Sequence, residues 1–306
     1  ANFASIADQG PFNNMGVPGA KSFHLVYQGY GLANPYFARF ASNPVTTTVL
    51  ADAMSNNPAF FTCWIGNNDV LTYATAGGES DSITNTTMFS QAFGGILQTL
   101  TSTGARGAIA NIPDITNIPF FTTIPYNAIT LTEEQATQLN NHPSYTAYNG
   151  GAEAAGLPKI EFSAGANPMV IEDDSPTYQA LGGIRQIKEG ELVLLTMPQD
   201  SLKCAGWGTQ TAVPDEYILD LDEISAITTA VTQYNQTISS LANQHNLAFV
   251  DIAELLTEAR DGIKIDGVSY STEFVSGGLF SLDGIHLTGQ GYAIAANKFI
   301  EAINKE

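Results

Sequence analysis

Two short segments carry residue types from which acyl-transfer chemistry is built. One is Asp283-Gly284-Ile285-His286, a carboxylate and an imidazole three positions apart. An imidazole acts as general base, and a nearby carboxylate fixes its tautomer and stabilises the imidazolium that forms. The other is Gly66-Asn67-Asn68-Asp69. A side-chain amide there can donate a hydrogen bond to the oxyanion of an acyl-transfer intermediate. Each pattern also has an ordinary reading. Gly66–Asp69 reads equally as a polar turn, and Asp283–His286 as a turn with an incidental histidine.

The surrounding elements add weight. Ala59-Phe60-Phe61-Thr62-Cys63-Trp64-Ile65 is a short apolar, aromatic and β-branched run that stops at Gly66, so Asn67 to Asp69 stand at the carboxyl end of a buried strand. In open α/β sheets that edge is where ligands bind. After His286, the apolar residues of Ala293 to Ile300 recur at helical spacing, which leaves Asp283 and His286 on the loop before the last helix. A third segment, Asn13 to Ala20, holds Gly19, where a glycine lets a backbone N–H approach a ligand closely.

Along the rest of the chain, strand and helix alternate as a parallel α/β sheet requires. A helix is expected to end over Tyr36–Phe40, and helices are expected at Thr46–Met54 and Asp81–Thr103, the last with a stripe of Met88, Phe89, Phe93, Ile96 and Leu100. Strands are expected at Gly107–Ile112, Leu192–Met197 and Leu247–Ile252. The clearest helix runs from Leu221 to His245, with Ile224, Ile227, Val231, Tyr234, Ile238 and Leu241 at three- and four-residue steps. The pattern predicts one three-layer α/β/α domain over 1–306 with a mainly parallel sheet. Residues 115–186 break the rhythm and read as a lid-like insertion within it. Its aromatics, among them Phe120, Phe121, Tyr145 and Tyr148, either line an acyl pocket or form a satellite core.

Composition narrows the partners. Hydrophobic residues make up 44%, enough for a sizeable core, and the formal charge of −19 argues against nucleic acid and anionic membranes. It fits neutral or cationic substrates. Glu172-Asp173-Asp174 and Asp220–Glu223 read as solvated loops and caps. The two cysteines form no metal pattern, and no disulfide between Cys63 and Cys204 is expected. His24, His142 and His245 read as structural.

In this order, the three segments resemble blocks II, III and V of the GDSL/SGNH hydrolases. Phe12-Asn13-Asn14-Met15-Gly16-Val17-Pro18-Gly19 and Asn111-Ile112-Pro113-Asp114 are similar, more narrowly, to secreted lipases and esterases of that superfamily from Bacteroidetes-type bacteria. The likeness spans about Phe12 to Ile300. It implies a flavodoxin-like sheet, no cofactor or metal, and a lipid, carbohydrate or other small-molecule ester as substrate. It implies a secreted, periplasmic or cell-surface location. Position by position, it implies His286 as base, Asp283 as its orienting acid, and Gly19 and Asn68 as oxyanion donors.

The block that carries the nucleophilic serine has no counterpart. Ser5 lacks a preceding apolar strand and a glycine turn, and Asp81-Ser82 follows block III in a polar loop. The serine is therefore expected upstream of Ala1, on a strand that inserts into the centre of the sheet, in the same chain or in a separate polypeptide. A gap beside the strand ending at Gly66, or foreign polypeptide filling it, is the corresponding expectation. Two other readings stay open: a binding protein that keeps the scaffold without the serine, and a metallophosphoesterase, for which the four histidines supply too few ligands.

Overall fold

Three parallel strands make the main sheet of the computed structural model, which describes residues 3–305. They are β1 (Phe60–Cys63), β2 (Arg106–Ala110) and β3 (Ala248–Val250), in the order β1-β2-β3. Phe61 stands opposite Gly107, and Ile109 opposite Phe249. In β2, Ala108, Ile109 and Ala110 are all fully buried, as in a strand covered on both faces. β1 alternates instead: Phe61 and Cys63 are buried, while Phe60 and Thr62 are exposed. The strand was expected to be buried, with a gap beside it; its Phe60 and Thr62 face is exposed, and no described strand pairs with its second edge.

Five helices frame the sheet: α1 (Val49–Ser55), α2 (Asn68–Ala74), α3 (Thr86–Thr101), α4 (Leu221–Gln244) and α5 (Gly289–Ile303). α4 packs on β2, β3, α2 and α3, and α5 packs on β2 and β3, which gives the α/β/α layering. The start of α4 is set by a reciprocal cap. The Asp220 carboxylate accepts from Glu223 N at 2.8 Å, and the Glu223 carboxylate from Asp220 N at 2.9 Å. Its buried stripe, Ile227, Val231, Tyr234 and Ile238, meets α3, where the Phe89 and Tyr234 rings stack at 4.0 Å. Burying a side chain of that size is worth about 1.5–3 kcal/mol. At the other side of the sheet, the Trp64 and Phe299 rings lie 6.4 Å apart.

Several expectations need correction. α3 begins at Thr86, not Asp81, because Asn85 caps it by accepting from Thr87 N at 2.9 Å, while Asp81 is held by Lys21 Nζ at 2.9 Å. Met88 is 49% exposed and lies off the stripe. Leu192–Met197 does not join the main sheet. Only Leu192–Val193 is extended, pairing antiparallel with Ile218–Leu219, and the run is divided between two cores: Leu194 in the main one, Val193 and Met197 in a second. A short apolar run does not reveal which core it enters.

Residues 115–186 form small antiparallel pairs, Ile129–Leu131 with Gly165–Asn167 and Val170–Glu172 with Ile184–Gln186, beside the helices Glu133–Asn140 and Pro143–Ala155. Tyr145, Tyr148 and Phe162 fill a satellite core there, whereas Phe120 and Phe121 enter the main core. Their side chains are thus buried as packing. Cys63 is buried and Cys204 exposed, and both are free thiols. No helix among the described residues is long and apolar enough to cross a membrane.

Candidate active site

The loop before α5 is organised around one carboxylate. Asp283 Oδ1 accepts from the Ser281 hydroxyl at 2.7 Å and from the Ile285 and His286 amides at 2.9 Å each. Oδ2 lies 2.7 Å from His286 Nδ1. Partial burial acts to raise the Asp283 pKa, but the Ser281 hydroxyl, the two amides and the imidazole outweigh it and hold the carboxyl well below the usual carboxylate range. Asp283 therefore stays ionised, which favours the proton on Nδ1 and leaves Nε2 as the basic nitrogen. The His286 side chain is 65% exposed, and among the described residues Nε2 has no hydrogen-bond partner. The loop is anchored to the segment leaving β2, where Phe120 N donates to Gly284 O at 3.0 Å.

The other residues of interest come together at the end of β1. Gly66 turns the chain from β1 into α2 at φ +118°, and a Cβ there would stand 2.6 Å from Ile112 Cδ1 and 2.9 Å from Phe89 Cε2. That turn delivers Asn68 to the first position of α2. Asn68 Nδ2 donates to Ala20 O at 3.0 Å, which ties it to the residue after Gly19. Gly19 has φ +74° with open space where a Cβ would be. Its N–H makes no hydrogen bond among the described residues, so it and the second Asn68 amide hydrogen are uncommitted donors. Next in sequence, Asp69 is fully buried and accepts from both Ser22 N and Ser22 Oγ, each at 2.7 Å.

Gly19 and Asn68 are thus brought together, and so are Asp283 and His286. No hydrogen bond among the described residues joins the two pairs: the first follows β1 directly, and the second lies on the loop before α5, held to Phe120 of the segment that follows β2. Along the second edge of β1 runs a cavity of about 1150 Å³, above the roughly 300–1,000 Å³ usual for small-molecule pockets. Phe60, Thr62 and Trp64 line it from β1 and its end, α1, α3 and α5 border it, and Asn68 stands among its lining residues. The Trp64 indole N–H is buried there without a hydrogen-bond partner among the described residues.

The remaining candidates are structural. Asn111 binds Asp251 Oδ1 through Nδ2 at 2.7 Å and accepts from Ala253 N at 2.9 Å, which ties β2 to the chain beyond β3. His24 stacks on Tyr30, His142 caps a helix, and His245 Nδ1 lies 3.1 Å from Thr101 Oγ1. Neither Ser5 nor Ser82 hydrogen-bonds to His286. The only acidic group of three or more side chains among the described residues with a common metal-sized gap is Glu79, Asp174 and Asp215, in a pocket that neither Asn68 nor His286 lines. There burial, then Glu79 and Asp174, push the Asp215 carboxyl up to about 7. Asp69 is spent on Ser22, so the Gly66–Asp69 loop does not offer the donor set of a binuclear metal site. Sequence reasoning missed Ser22. It lies in a segment with no periodic pattern, and its partner is 47 positions away.

No curated protein and no solved structure matches the chain. The model of one family does match, over residues 7–299, and it covers every site residue above. The protein belongs to the GDSL-like lipase/acylhydrolase family and is a hydrolase of the GDSL type.

Proposed function

We propose that the protein is a carboxylic ester hydrolase that works through an acyl-enzyme. His286 is the base, Asp283 its orienting acid, and Gly19 and Asn68 the oxyanion donors. The observation that carries this reading is the His286 imidazole, with Nδ1 tied to an ionised Asp283 at 2.7 Å and Nε2 free. In this scheme Nε2 takes the proton of an attacking hydroxyl and returns it to the leaving alcohol. A water, deprotonated by the same nitrogen, then frees the acid. The negative oxygen formed at each step is met by Gly19 N–H and the free Asn68 amide hydrogen.

The nucleophile in this reading is a serine on a further strand lying along the open edge of β1, from the same chain or from a separate polypeptide. Three features support it: the unpaired edge, the cavity beside it, and the orphaned Trp64 N–H within that cavity. Unpaired ladder groups and a buried unsatisfied donor are costly, the latter about 1–3 kcal/mol, and a docked strand satisfies both. The 115–186 segment, which meets the catalytic loop through Phe120 and Gly284, is the proposed lid.

A fluorophosphonate probe tests the proposal. Applied to the protein as its source produces it, the probe should modify one serine outside residues 3–305, and His286→Ala should prevent that. Hydrolysis of a short p-nitrophenyl ester should survive chelator. Label on Ser5, Ser82 or Ser281 would refute the strand.

A second reading, a binding protein on the same scaffold, is favoured by one fact. The hydroxyl nearest the dyad, that of Ser281, is committed to Asp283 rather than to His286. Absence of probe labelling and of esterase activity in the source protein would select it.

A further inference from the structure

We infer that Asp69 and Ser22 form a buried clamp that sets the spacing of the two oxyanion donors. The catalytic consequence of this clamp rests on the acyl-transfer reading above, whereas its geometry does not.

Two consecutive residues of α2 grip one upstream segment at two points. Asn68 Nδ2 holds the carbonyl of Ala20 at 3.0 Å, and the Asp69 carboxylate holds the amide and the hydroxyl of Ser22 at 2.7 Å each. Between them, Lys21 Nζ is fixed on Asp81 at 2.9 Å, and Lys21 N donates to His24 Nδ1 at 3.1 Å. Ala20 N is bonded to Val17 O. The amides of residues 20, 21 and 22 are therefore all committed, and Gly19, which adjoins them, is the one left free. The first Asn68 N–H is likewise spent on Ala20, which stops rotation of the carboxamide and points the second away from that contact.

A carboxylate suits this task and packing alone does not call for one. It offers an acceptor at each oxygen, and Ser22 supplies two donors from one residue, so bonds at both oxygens fix direction as well as distance. Asp69 and Ser22 are both fully buried. Burial pushes the Asp69 carboxyl above its ordinary value, although the two Ser22 bonds pull it down. An apolar side chain would fill the site without that desolvation cost. What the carboxylate adds is orientation. Asp69 is thus a positioning residue, acting through Ser22 and Ala20 on Gly19, and through its neighbour in α2 on Asn68.

The test uses the full-length, ¹⁵N-labelled protein, read by NMR and by steady-state hydrolysis of a short p-nitrophenyl ester. Asp69→Ala should shift the Gly19 amide and the Asn68 side-chain amide signals while leaving those of α4 in place. It should lower kcat by about 10- to 10²-fold, the loss typical of misplaced catalytic groups, with KM unchanged. Asp69→Asn should recover most of both, because its carboxamide can accept from Ser22 N–H and donate to the Ser22 hydroxyl. Should Asp69→Ala fail to fold, Ser22→Ala, which deletes a single hydroxyl, carries the same expectation at smaller amplitude. A lower melting temperature with the Gly19 and Asn68 signals unmoved would overturn the clamp, and so would a rate loss confined to KM. If the wild-type protein hydrolyses no ester, the acyl-transfer reading falls, and the NMR signals still decide the clamp.

Discussion

The two halves of the candidate site are built in opposite ways. The Asp283–His286 half is local: its acid and base are three positions apart, and every partner of the carboxylate lies between Ser281 and His286. It is also open, with side-chain exposures of 48% and 65%. The Gly19–Asn68 half is long-range: its bonds join residues 47 and 48 positions apart, and its supports, Ser22 and Asp69, have no exposed surface. The difference follows from what each half must do. A base has to meet protons and leaving groups, so its imidazole stands out from the fold. Oxyanion donors work by being fixed before charge develops, and fixing is done most firmly from the interior.

The strongest challenge to this comparison is His286→Ala. It should abolish ester hydrolysis in the source protein with little change in melting temperature, since the His286 side chain is exposed and its described hydrogen bond is the one to Asp283. A large fall in melting temperature would show that the open half also carries the fold. Asn68→Ala comes next. Removing one oxyanion donor should lower kcat by on the order of 10²–10³. Because Nδ2 also holds Ala20, this variant should lose measurable stability by denaturant titration, which His286→Ala should not.

Asp283→Asn should do less. The imidazole remains and loses the carboxylate that fixes its tautomer, so kcat/KM at neutral pH should fall, though less far than in His286→Ala. A loss as large as that of His286→Ala would mean that the carboxylate does more than orient the ring.

The smallest effect is in stability against pH, and its sign differs between the halves. The Asp283 pKa is depressed in the fold, so its contribution is present above the ordinary carboxylate value and is lost as pH falls through the depressed one. The Asp69 pKa is raised, so its contribution is present below the ordinary value and is lost as pH rises through the raised one. Melting temperatures of Asp283→Asn and Asp69→Asn, each relative to wild type, should therefore move in opposite directions between pH 3 and pH 8, by about a few degrees. Parallel curves would remove the distinction.

Much of the fold is written in local pattern. The long apolar stripe of α4 and its Asp220–Glu223 cap, the run that becomes β1, and the helix after His286 are all set by neighbours within a few residues, so periodicity finds them. Asp283 and His286 share that property, and their 2.7 Å contact is a consequence of spacing within one loop. Gly19 and Asn68 stand out as residue types, but what sets one against the other is the Ala20 carbonyl, and what steadies both is Ser22 on Asp69. Those contacts have no period and no spacing rule. They exist only once α2 meets the segment that holds Ala20 and Ser22. The division of Leu192–Met197 between two cores was hidden for the same reason. Hydrophobicity says that a residue will be buried, and only the assembled chain decides against what.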